Sequence, residues 1–148
     1  MVRRKSAAWA ALVVAIVFGL SACSPSESRE EKLAKAKTLS EVVEVIALEA
    51  PAEAYTVAGT KYLAVLFETS NVTRDYHLLT TKQLMPVLLE RYPEIDQFFI
   101  AWAQDGVQFL KIQFERSEVQ TAPWDRLMIK EGELQQLASM YWAIPALR

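Results

Sequence analysis

Apolar and polar residues alternate along the chain in several distinct rhythms. Ala7 to Leu20 is solidly apolar apart from Gly19. Ser24 to Ser28 has nothing to bury, and Arg29 to Lys37 is charged with Ala and a single Leu, an exposed helix or a continuing tether. Leu39, Val42, Val43 and Ile46 then recur at helical spacing, and Thr38 and Glu41 stand three apart as in a capping box. This predicts a helix over 39–49 ended by Pro51, with a strand as the alternative because of the β-branched content.

Tyr55–Val57 and Lys61–Thr69 flank Ala58-Gly59-Thr60, which predicts a hairpin with Gly59 in the turn. Its second arm is almost continuously apolar from Tyr62 to Phe67, as in a central strand covered on both faces. Thr81 to Tyr92 carries Leu84, Val87, Leu88 and Tyr92 on one helical side. Pro86 implies a start near Met85 or a bend, and Pro93 an end. Gln97–Gln104 and Val107–Glu115 read as strands joined by Asp105-Gly106, a strong signal for a two-residue hairpin turn. Such a turn pairs Trp102 with Phe109 and Ala101 with Leu110, leaving both faces rich in apolar residues. Leu134, Leu137, Ala138 and Tyr141 predict a final helix over 133–142, stopped by Pro145. The expected class is α+β: an antiparallel sheet of about four strands packed with two or three helices.

Composition narrows the function classes. The chain has 148 residues, enough for one domain. Arg3, Arg4 and Lys5 are the only charges before Cys23; without them 13 basic residues face 18 acidic ones, a net charge near -5. An acidic domain with no basic stripe is a poor partner for nucleic acid. Cys23 is the one cysteine and His77 the one histidine, so a disulfide within the chain, a Cys₄ zinc site and a multi-histidine metal site are all excluded. After Cys23 the glycines are isolated and form no phosphate cradle. No cofactor is implied.

The N-terminus has the layout of a secretion signal: the basic cluster Arg3-Arg4-Lys5, the apolar run Ala7–Leu20, then small residues. About fourteen apolar residues rise about 21 Å as a helix, short of a hydrocarbon core of about 30 Å. Leu20-Ser21-Ala22-Cys23 resembles the lipobox of bacterial lipoproteins, an aliphatic residue and two small ones before the cysteine. The resemblance implies removal of residues 1–22 and attachment of diacylglyceryl and fatty acyl chains to Cys23. Two or three acyl chains hold a protein stably at a bilayer where one does not. The implied organisation is a signal peptide (1–22), a lipidated cysteine and tether (23–37) and one domain (38–148). The implied location is the cell membrane or outer membrane, with the domain on its periplasmic or extracellular side.

From Tyr62 onward the chain resembles small secreted or lipid-anchored bacterial and phage-associated proteins of unknown function. The resemblance rests on Trp124-Asp125 before the last helix and on Trp142-Ala143-Ile144-Pro145. It implies no activity, although such proteins can act as exclusion or immunity factors of mobile elements.

No catalytic constellation emerges. Asp75 and His77 are candidates for an acid–base pair in a loop, and Glu68, Glu90, Glu94 and Glu115 for a glycosidase pair. No Gly-x-Ser-x-Gly elbow is present. Trp102 and Phe109, expected to face each other across the hairpin, form a candidate binding surface together with Trp124. The reading is a lipid-anchored envelope protein acting by binding, with another envelope protein or a cell-wall component as partner. A small envelope hydrolase and a mobile-element exclusion lipoprotein are the alternatives.

Overall fold

The computed structural model describes residues 27–70, 73–127 and 131–145. Two capped helices open it. In α1 (Arg29–Lys35) the Ser28 hydroxyl accepts from the Glu31 N–H at 3.2 Å and the Glu31 carboxylate accepts from the Ser28 N–H at 2.9 Å. Of the two readings of this segment, exposed helix or continuing tether, residues 29–35 take the helical one. Thr38 and Glu41 repeat the same box at the start of α2 (Leu39–Ala47). The N–H groups of Lys37 and Thr38 hold the Glu41 carboxyl below its ordinary range. Helix α2 buries Val42, Val43, Ile46 and Ala47, the face that the spacing predicted.

Leu48 ends α2 in the left-handed region, at φ 57°, with its side chain 90% exposed. That conformation costs a branched residue about 1–2 kcal/mol, whereas glycine adopts it freely. Glycine also loses more backbone entropy on folding, so Leu48→Gly is expected to gain a net ~0.5–1 kcal/mol. Urea denaturation should show a raised midpoint with an unchanged slope.

The sheet contains five strands in chain order: β1 (Glu53–Thr56), β2 (Tyr62–Glu68), β3 (Gln97–Gln104), β4 (Val107–Glu115) and β5 (Met140–Ala143). All neighbours are antiparallel except β2 and β3, which are parallel. The α+β class holds, with one more strand than expected and one parallel pair. That pair needs a long crossover, supplied by α3 (Arg74–Arg91).

Helix α3 begins seven residues before the expected Thr81, because its buried side is partly polar. His77, Thr80 and Thr81 lie inward beside Leu78, Leu84, Met85 and Leu88 and break the apolar stripe. The threonine hydroxyls donate to the carbonyls four residues back, Thr80 to Tyr76 at 2.9 Å and Thr81 to His77 at 2.8 Å. The helix continues through Pro86, whose ring lacks the N–H that would bond the Lys82 carbonyl.

The β3–β4 hairpin corrects the expected register. Asp105 (φ 51°) and Gly106 (φ 74°) make the anticipated turn, pairing Gln104 with Val107 and Ala103 with Gln108. A bulge at Trp102/Ala103 then shifts the register by one, so Trp102 pairs with Leu110, Ile100 with Ile112 and Phe98 with Phe114. The shift gathers the large apolar side chains on one face rather than spreading them over two. Leu63, Val65 and Phe67 of β2 join them in register.

The last helix is also corrected. Helix α5 (Glu131–Leu137) stops early, and the chain becomes β5 from Met140, where the Ser139 N–H reaches the Gln113 carbonyl at 2.9 Å. An unpaired edge of β4 offers hydrogen bonds to a segment rich in aromatic residues, and pairing wins over the helical pattern.

Side chains from α2, α3 and α5 meet the sheet in one core that contains Ile46, Leu78, Leu88, Phe98, Trp102 and Leu134. Between β4 and α5, the single turn α4 (Arg116–Val119) contributes Val119 to the same core. The opposite face of the sheet contributes none of its large side chains to this cluster.

Candidate functional site

The residues proposed from sequence as a surface are inside the domain. Trp102 is fully buried, stacked on Phe67 with ring centroids 5.4 Å apart. Phe109, brought inward by the bulge, lies 5.2 Å from the His77 ring. Trp124 packs edge-on against Phe114 and donates from its indole N–H to the Val119 carbonyl at 3.0 Å. These are core residues, because the bulge turns Phe109 toward the helices and the segment after α4 folds back over β4. Cys23 and the residues before it, Leu20, Ser21 and Ala22, lie outside the described residues.

The acid–base pair is not assembled. Asp75 and His77 are two apart on a helix, not on an extended loop, so their side chains diverge. The Asp75 carboxylate is exposed, 3.8 Å from Arg74, while His77 is fully buried among Tyr76, Trp102 and Phe109. The carboxylates of β2 and β4 do not pair either. Glu68 accepts from the Gly106 N–H at 3.1 Å, and Glu115 accepts from the Gln97 side chain at 3.0 Å. The register places them at opposite ends of the sheet, about 20 Å apart by strand rise, beyond the separation of glycosidase carboxylates. Among the described residues no group of three or more His, Cys, Asp or Glu is placed to hold a metal ion.

What the register does assemble is an open sheet face. Tyr55, Ala64, Phe99, Gln113 and Met140 stand side by side in one row across the strands. Glu53, Leu66, Ala101, Lys111 and Trp142 form the next row. Tyr62, Gln97 and Glu115 lie beyond the first row, and Glu68 and Ala103 beyond the second. At strand and row spacings of about 5 and 7 Å the face spans about 20 Å in each direction.

Small residues on the middle strands shape this surface. Ala64, Ala101 and Ala103 are buried beneath their neighbours and form a floor. Larger groups rise around it: Tyr55 is 48% exposed, Met140 and Trp142 39% each, and Tyr62, Leu66 and Phe99 are half-buried. Tyr62 and Phe99 stack at 6.4 Å. Burial, and then the neighbouring Tyr55, push the Tyr62 hydroxyl pKa up, so it stays a neutral donor. The Lys111 ammonium lies 5.2 Å from the Trp142 ring centre, a cation–π contact between neighbouring strands. Glu53, Glu68 and Glu115 lie toward the margins, with Lys111 as the basic residue among them. The face has an alanine floor, exposed aromatic and apolar groups around it on the outer strands, and carboxylates toward its margins.

Sequence reasoning passed over Tyr55, Tyr62, Leu66, Phe99 and Met140. One signal was present: from Leu110 to Glu115 apolar and polar residues alternate strictly, whereas Phe109-Leu110 puts two apolar residues together. The doubled position marks the bulge, and the alternation marks a sheet covered on one side only.

Among the described residues no helix is long and apolar enough to cross a membrane. No protein-family model, curated protein or solved structure matches the chain.

Proposed function

We propose that this chain is a lipid-anchored envelope protein that acts by binding, and that its open sheet face receives another envelope protein. The observation that carries the binding role is the half-exposed aromatic face with its alanine floor. Protein interfaces are enriched in Tyr, Trp, Phe and Met, and this face presents all four. Its acidic margin calls for a partner with a basic rim. Anchoring is supported by Leu20-Ser21-Ala22-Cys23 behind an apolar run too short to span.

A photo-crosslinking side chain at Phe99 or Trp142, in cells, is expected to capture one envelope protein that the same group at Glu90 on α3 does not. Capture should weaken in Glu53→Lys, which opposes a basic partner rim. Capture of a second copy of this chain, equal capture from Glu90, or hydrolysis of wall fragments by the purified protein would contradict the proposal.

A further inference from the structure

We infer that the end of the domain bearing Leu48 rests on the bilayer, with Leu48 entering the headgroup layer while Arg29 and Lys32 meet lipid phosphates. The inference rests on the lipid-anchor reading of Cys23 and adds an orientation to it. Cys23 and Ser28 are five residues apart, so the chain between them spans at most about 18 Å however it is arranged. Whatever enters the domain at Ser28 is therefore held close to the acyl chains.

That entrance adjoins Leu48. Arg29, the first residue of α1, and Leu48, the cap of α2, line the same cavity of about 260 Å³, with Lys32, Val45, Ile46 and Gln83. Two cations and an exposed apolar side chain share this lining, and among the described residues it carries no carboxylate. Carboxylates stand close by: Lys32 and Val45 also line a neighbouring hollow with Glu27, Glu41 and Glu44, and Glu49 follows Leu48. Leu48 itself is 90% exposed in a left-handed conformation that suits glycine, so it contributes little to packing where it stands. An exposed leucine flanked by cations matches the interfacial layer of a membrane, where apolar atoms reach acyl chains and cations meet anionic headgroups.

The orientation has a consequence for the open face. The Tyr76 hydroxyl at the start of α3 donates to the Glu49 carboxylate at 3.2 Å, so the start of α3 and the end of α2 lie together at the bilayer end. Helix α3 rises about 27 Å over its 18 residues. Glu94, beyond its far end, points away from the membrane, and the sheet face looks sideways along the bilayer.

The test uses the full lipidated chain in vesicles. Cys23 is the only native cysteine and is acylated in this reading, so Leu48→Cys and Glu94→Cys each offer one thiol for an environment-sensitive dye. In phosphatidylethanolamine–phosphatidylglycerol vesicles, the dye at 48 should be quenched by acyl-chain quenchers and shielded from aqueous iodide; the dye at 94 should behave in reverse. Arg29→Gln with Lys32→Gln, or phosphatidylcholine vesicles alone, should reduce the shielded fraction at 48, each lost cation weakening seating about fivefold. A dye at 48 that is open to iodide on a chain carrying acylated Cys23 overturns the inference and leaves the anchor standing. A chain whose Cys23 carries no acyl group, by mass spectrometry, overturns both.

Discussion

Trp102→Ala is expected to destabilise the domain by about 4 kcal/mol, the middle of the range for removing an aromatic from a packed core. The indole is fully buried, stacks on Phe67 and lies 5.1 Å from the His77 ring, so truncation leaves a cavity at the centre of the sheet. A domain of this size has a total stability of about 5–15 kcal/mol, so the variant stands near the threshold of folding. Phe99→Ser, three positions earlier on the same strand, should cost about 1 kcal/mol because its ring is half-exposed on the other face. Urea denaturation of both variants reads the contrast. If Phe99→Ser proved the more damaging, the assignment of inner and outer faces would be wrong. Crosslinking should separate the two in the opposite sense, with Phe99→Ser folded yet unable to engage the partner.

Arg116→Met is expected to cost about 2–3 kcal/mol, although the side chain is only partly buried. Its guanidinium donates to the carbonyls of Leu89 at 3.2 Å, Tyr92 at 2.6 Å and Ile95, and its centre lies 5.3 Å from the Phe98 ring. One planar cation thus closes the C-terminal end of α3, where unpaired carbonyls and the helix dipole favour positive charge. It also ties that end to the start of β3 and the end of β4. Methionine keeps much of the volume and removes the donors, so the loss measures the hydrogen bonds. Arg116→Lys should recover only part of the loss, because an ammonium cannot reach three carbonyls in the plane of a fork. Full recovery by lysine, read in the same denaturation experiment, would reduce the role of Arg116 to charge alone.

Local chemistry was legible where it is decided locally. Thr38 with Glu41 and Asp105-Gly106 announced their cap and turn, because both motifs satisfy or bend the backbone within a few residues. Gly59, at φ 76°, occupies the expected first turn for the same reason. The misreadings came from decisions made at a distance. The bulge opposite Trp102 changes which residues share a face; the doubled Phe109-Leu110 hints at it, but only pairing with β3 fixes the register. Met140 to Ala143 have a helical stripe before them and take strand geometry because β4 has a free edge. The start of α3 looked polar because His77, Thr80 and Thr81 point inward; the threonine hydroxyls are satisfied within the helix itself, and the ring contacts of His77 appear only once helix and sheet are together. The open face was hidden for the same reason: Tyr55, Phe99 and Met140 come from separate strands and meet only in register.

The proposed setting depends on the thiol of Cys23, so the mass of the protein isolated from membranes of its host is the most direct test. The account predicts a mature chain that starts at Cys23 and carries the added mass of a diacylglyceryl group, with or without a further acyl chain on its new amino group. A chain that keeps residues 1–22, begins at another residue, or starts at an unmodified Cys23 would contradict it.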